Sequence, residues 1–130
     1  VKNLFHTIHH VAIICSDYKI SKYFYTKILG LTVIKETYRA ERDSYKLDLQ
    51  VGDQCQIELF SFPNPPPRPS YPEACGLRHI AFAVENIEAV KSELTNHKID
   101  FEPERVDALT GKTFLFFKDP DGLPIEVYEK

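Results

Sequence analysis

Two histidines and two glutamates in this chain stand in matching surroundings. His10 opens the run His10-Val-Ala-Ile-Ile-Cys-Ser-Asp17, and His79 opens His79-Ile-Ala-Phe-Ala-Val-Glu-Asn86. Glu58 lies in Ile57-Glu58-Leu59-Phe60, and Glu126 in Ile125-Glu126-Val127-Tyr128. A carboxylate in mid-strand between large aliphatic residues is costly to bury without a compensating charge. A divalent cation supplies one. Imidazole nitrogen and carboxylate oxygen together suit Zn, Ni, Co, Fe or Mn, whereas Ca and Mg prefer shells made of oxygen alone. His10, Glu58, His79 and Glu126 are therefore the candidate ligands of one divalent metal ion. Glu126 and Glu58 are also the candidate catalytic carboxylates.

The spacing supports the grouping. The histidines are 69 positions apart and the glutamates 68, so the chain reads as one module written twice. Alone, His10 would more simply be a satisfied strand histidine, and Glu58 a solvated edge residue. The matched quartet is what argues for ligation. His9 falls on the other face of its strand from His10 and reads as structural or exposed. His6 has no counterpart in the second copy, and His97 suits the C-terminal end of a helix.

The elements that must carry these residues follow one order in both copies. Side chains alternate across a strand, so His10 shares a face with Ala12 and Ile14, and His79 with Ala81 and Ala83. Alanine beside each histidine leaves room for the ring. Val11, Ile13 and Cys15, and Ile80, Phe82 and Val84, form bulky faces suited to packing under a helix. Asp17 or Ser16 can cap the first helix, with Ile20, Tyr23, Phe24 and Ile28 on one face and Gly30 as a stop. Asn86 can cap the second, with Ile87, Val90 and Leu94 at helical spacing. Strands are expected over 31–37, 45–51, 99–106 and 112–118, each pair ahead of a Glu-bearing strand. Asp119-Pro-Asp-Gly122 is a turn just before the last of these. Each module reads βαβββ. The expected fold class is α+β, with two such modules whose strands would form a cupped mixed sheet around a metal site if they curve toward each other.

Between the copies, the stretch Phe62 to Pro72 holds six of the nine prolines. Proline fixes φ and lacks the backbone donor, so this segment reads as a stiff extended connector. The expected organisation is a single domain over 1–130, with module 1 at about 6–62, linker at about 63–75 and module 2 at about 76–130.

Bulk properties narrow the partners. A formal charge of -3 gives no electrostatic reason to expect nucleic acid or an anionic membrane. No apolar run approaches the ~20 residues needed to span a bilayer, and no leader is visible ahead of His10. The three cysteines form no CxxC pair, which fits reduced thiols and a cytoplasmic location. All three read as small buried hydrophobes, Cys75 least clearly.

The motifs also resemble a known group. His10-Val-Ala-Ile, the stretch Phe24 to Leu31, Gly76-Leu-Arg-His79-Ile-Ala-Phe and Asp119-Pro-Asp-Gly122 with Ile125-Glu126 are similar to the vicinal oxygen chelate superfamily, which includes glyoxalase I, methylmalonyl-CoA epimerase, extradiol dioxygenases and resistance proteins. The stretches Glu58 to Pro63 and Arg68 to Gly76 resemble its YaeR-like, glyoxalase I-related group. The resemblance implies a metal that chelates adjacent oxygens of a small-molecule substrate and stabilises an enolate or enediolate. It further implies a homodimer. A glutamate at the second ligand place, here Glu58, is similar to bacterial glyoxalase I, where epimerases usually carry Gln. The expected activity is that of a metal-dependent lyase or isomerase acting on an α-oxygenated carbonyl compound, such as a thiol hemithioacetal, by proton transfer. The alternatives are an acyl-thioester epimerase and a metal-independent binding or resistance protein. Arg39, Arg42 and Lys46 are candidate contacts for an anionic substrate group, although a solvated charged loop is the plainer reading of them. The segment Tyr38 to Lys46 does not match glyoxalase I's glutathione contacts.

Overall fold

The computed structural model describes residues 2–130. The chain divides between Pro66 and Pro67 into two compact units. The first contains β1 (His10–Cys15), α1 (Tyr18–Tyr23), a π-helical turn (Phe24–Ile28), β2 (Thr32–Arg39), a 3-10 turn (Ala40–Arg42), β3 (Ser44–Val51) and β4 (Cys55–Ser61). Its sheet has the order β1-β4-β3-β2, with β1 parallel to β4 and the other pairs antiparallel.

The second unit repeats the plan with β5 (Ile80–Val84), α2 (Ile87–Asn96), β6 (Arg105–Val106), β7 (Thr113–Lys118) and β8 (Pro124–Glu129). The order is β5-β8-β7-β6, and β5 runs parallel to β8. The fold is thus two βαβββ modules, each a four-stranded mixed sheet, and neither sheet closes into a barrel.

Local chemistry sets the helix starts. The Asp17 carboxylate accepts the Ile20 N–H at 3.1 Å, and the Asn86 side chain accepts that of Ala89 at 3.1 Å. Each cap satisfies a donor that the first helical turn leaves orphaned. Under α1, Ile13, Cys15, Leu47, Leu49, Ile57 and Leu59 are all buried. In the second unit the same layer is Leu115, Phe117, Ile125 and Val127, with Ile87 and Leu94 of α2. Each large aliphatic removed from water contributes about 1.5–3 kcal/mol. This layer fixes the register, because a one-residue slip would carry both glutamates into it. The opposite faces hold exposed Ala12 and Ala81 beside half-buried Glu58 and Glu126.

Three expectations need correcting. The buried stripe of the first helix is Ser21, Phe24 and Tyr25, while Ile20 and Tyr23 are 56% and 53% exposed. Tyr18 stacks on Tyr45 at 4.5 Å and donates to Glu36 at 2.5 Å, which sets the helix rotation. The Leu29 N–H then reaches back to the Phe24 carbonyl at 2.9 Å, five residues away. That wider turn lets the adjacent Phe24 and Tyr25 both point inward. The strand expected over 99–106 is reduced to Arg105–Val106 plus a single bridge from Phe101 to Phe117. Pro103, without a backbone N–H, interrupts the ladder. Of the cysteines only Cys15 is buried; Cys55 is half-buried and Cys75 exposed.

Candidate metal and substrate site

In the first unit the His10 Nε2 lies 3.5 Å from Glu58 Oε2. Parallel pairing of β1 with β4 puts Ala12, a small side chain, directly beside Glu58. His9, set aside on sequence grounds, meets His10 here: the two Nδ1 atoms are 2.9 Å apart. When His10 donates through Nδ1, its Nε2 is left as the lone-pair nitrogen, the form that binds metal.

Glu58 has a second carboxylate opposite it, Asp48 on β3. Like charges directly across a sheet repel. Lys46 offsets this, with Nζ 3.5 Å from Asp48 and 3.9 Å from Glu58. Sequence reading missed Asp48, although the signal was the one that selected Glu58: a charge between Leu47 and Leu49. What hid it was the lack of a counterpart, since the residue opposite Glu126 is Phe116.

The other candidate cations also lie in this unit. Arg39 sits over the Phe60 and Phe62 rings at 4.8 and 5.6 Å and donates to Ser44 Oγ at 2.9 Å. Arg42 sits over Phe62 at 5.3 Å. Phe60 faces Lys46 in the ladder, so these groups line the same side of the sheet as Glu58. Lys46 touches the candidate ligand, while Arg39 and Arg42 are engaged with aromatic rings.

The second unit presents the pair again. His79 Nε2 lies 3.1 Å from Glu126 Oε1. The His79 ring meets Phe116 edge-on at 5.1 Å, and its Nδ1 is buried with no hydrogen-bond partner among the described residues. The turn before β8 is held by Asp119, whose Oδ1 accepts the Asp121 and Leu123 N–H groups, each at 2.9 Å. Gly122 takes the left-handed φ of +84° that the turn requires. Glu126 therefore projects from a firmly placed backbone. Beside His79 and Phe116 opens a cavity of about 410 Å³, walled by residues 68–71 and 73–78 together with Glu102, Arg105 and Pro124.

The donor pairs fit a metal. Two donors bound at ~2.0–2.2 Å to one ion, at right-angle to tetrahedral spacing, lie about 3.0–3.5 Å apart. The two N···O separations, 3.5 and 3.1 Å, fall in that range. Each unit supplies one nitrogen and one oxygen. Among the described residues no group of three or more His, Cys, Asp and Glu is gathered at one point.

A repeated βαβββ module with His at or just before the start of its first strand and Glu on its last decides where the chain fits among known proteins. The Glyoxalase/Bleomycin resistance protein/Dioxygenase superfamily model matches residues 7–127. The chain belongs to that superfamily. Within it, the chain is 57% identical to the uncharacterized protein YaeR of Escherichia coli over 123 residues, covering 95% of each. The crystal structure of a glyoxalase family protein from Enterococcus faecalis superimposes with a TM-score of 0.89 at 50% identity, covering 98% of this chain and all of that one. A protein named glyoxylase I 4, from Arabidopsis thaliana, is 29% identical over 126 residues, covering 93% of this chain and 69% of that one. The likeness to YaeR places the chain in the superfamily's YaeR-like group. Among the described residues no helix is long and apolar enough to cross a membrane.

Proposed function

We propose that this superfamily member is a divalent-metal-dependent lyase or isomerase of glyoxalase I type, acting on a small α-oxygenated carbonyl compound. The observation that carries the proposal is the duplicated pair, His10 with Glu58 and His79 with Glu126, at metal-ligand separations in both units. Each pair would supply one nitrogen and one oxygen donor to a divalent ion. When bound, the ion supplies Lewis acidity toward adjacent substrate oxygens, which lowers the cost of negative charge developing there. Glu126 takes the proton from the carbon next to the carbonyl and returns it to the neighbouring carbon. Its backbone is fixed by the Asp119 turn, and the buried Ile125 and Val127 anchor the far face. Glu58, its mirror in the first unit, shares its surroundings with Lys46 and Asp48. The likeness to the protein named glyoxylase I 4 supports the same class of reaction.

The test begins with metal analysis of protein purified without chelator. It continues with a screen of 2-oxoaldehydes against several thiols, then Glu126→Gln at metal saturation. Glutamine keeps the size and an oxygen donor but has no useful basicity. Turnover should fall by about 10²–10⁴-fold, the usual share of general acid–base catalysis. Near-normal turnover in the metal-saturated variant shows that the proton goes elsewhere. Solvent-deuterium exchange into an acyl-thioester with no thiol requirement would identify an epimerase instead.

A further inference from the structure

We propose that Arg105 is the anchor of a carboxylate-binding subsite in the second unit, so that the substrate carries a carboxylate at the end remote from its reacting carbonyl. This rests on the reading above that the reacting oxygens sit at His79 and Glu126.

The sheet itself places Arg105. Glu126 is in register with Phe116, Tyr128 with Phe114, and Phe114 with Arg105. Cross-strand partners share a face. Arg105 therefore stands two strands from Glu126 on the same side. Its guanidinium lies over the Phe114 ring at 5.0 Å and over Phe116 at 5.6 Å. Phe116 also meets the His79 ring. A single aromatic side chain thus separates the imidazole of the candidate metal pair from the guanidinium. Both groups line the 410 Å³ cavity.

The other two arginines on that cavity wall are already committed. Arg68 donates to the carbonyls of Leu77 and Arg78 at 2.8 and 2.9 Å and to Ser70 Oγ at 2.9 Å. Arg78 is hydrogen-bonded to Glu73 at 3.0 Å. Arg105 has an ion pair with Glu102 at 3.5 Å, with both side chains more than half exposed. Such a contact is weak. A guanidinium resting on aromatic rings keeps its N–H edge available, and that edge matches a carboxylate in a two-pronged geometry. The cavity is also within the size range of sites for ligands much larger than a three-carbon aldehyde, about 300–1,000 Å³. A tail ending in a carboxylate accounts for both the volume and the cation.

The experiment uses the full chain and a matched ligand pair, 2-hydroxyglutarate and 2-hydroxypentanoate. They share chain length and the metal-binding hydroxy acid, and differ only in a terminal carboxylate. Each is titrated calorimetrically with zinc-loaded and metal-free protein. The diacid should bind about 10- to 100-fold more tightly, the range of a charge-assisted pair. Arg105→Leu should abolish that preference while leaving the monoacid unchanged. Glu102→Gln, which removes the competing carboxylate, should enlarge the preference severalfold, an effect that a merely structural arginine does not produce. A preference near one in the wild type, no measurable binding of either acid, or a preference that survives Arg105→Leu overturns the proposal. If the preference and its loss are found but zinc makes no difference to either acid, the carboxylate subsite stands and the metal reading fails.

Discussion

His79→Ala separates a metal site from an ordinary histidine–glutamate contact. The substitution removes one of four proposed donors and leaves Glu126 without the imidazole 3.1 Å away. A ligand that binds only the folded state at 100 times its Kd stabilises by about 2.7 kcal/mol. For a chain of this size, that raises Tm by roughly 8–13 °C, at about 3–5 °C per kcal/mol. Even residues that merely orient a ligand change metal affinity by about 10–100-fold, so a lost donor should cost at least ~100-fold. The ion is then present at about its Kd, and the stabilisation shrinks to about 0.4 kcal/mol, a shift of ~2 °C or less. His79 also packs on Phe116, so the metal-free variant will itself melt lower. The shift must therefore be measured within each protein, by thermal unfolding with and without Zn, Ni, Co, Fe or Mn. His97→Ala is the control: His97 lies at the end of α2, 3.8 Å from Glu93, and the full shift should remain. Equal shifts in wild type and His79→Ala, or none with any of the five ions in wild type, refute the reasoning.

Glu36 gives a pH-dependent test. Hydrogen bonds from Lys22 and then Tyr18 hold its carboxyl below the ordinary value of 4.5. A depressed folded-state pKa adds stability above the unfolded value that is lost as pH falls through the folded one. Denaturant melts from pH 6 downward should show the wild type losing stability below about pH 4.5 relative to Glu36→Gln; parallel curves contradict this. Leu115→Ala, at a fully buried position, should cost about 2–5 kcal/mol in urea unfolding, and a loss under 1 kcal/mol would mean that the sheet does not pack there. The chain should also form a homodimer, because Ile14, Val33 and Ile34 are 56%, 43% and 48% exposed on β1 and β2. Sedimentation of a 15.0 kDa species at micromolar concentration counts against it.

What was legible in the sequence was whatever alternates or repeats. Ile57 and Leu59 around Glu58, and Ile125 and Val127 around Glu126, fixed which side each carboxylate faces, and the burial pattern agrees. The two helix caps were equally local and equally visible. Features that depend on three-dimensional neighbours were not. The rotation of α1 is set by Tyr18 meeting Tyr45 and Glu36, which apolar spacing cannot register. Asp48 was passed over because repetition was the filter, and the second copy has Phe116 there. The arginines over aromatic rings join residues from different strands, so neither spacing nor composition marks them.

The parallel pairing of β1 with β4, and of β5 with β8, has a consequence for how the chain is made. In each module the histidine stands at or just before the start of the first strand and its glutamate on the last, so the contact with the longest loop is also the one that joins the donors. A nascent chain that has emerged through the proline-rich stretch already holds both members of its first pair. His79 must then wait in its turn, for 47 residues against the 48 between His10 and Glu58, until Glu126 is added. Between those two points the growing polypeptide carries one complete donor pair and one solitary imidazole, and the second half becomes equal to the first only when Glu126 has been added.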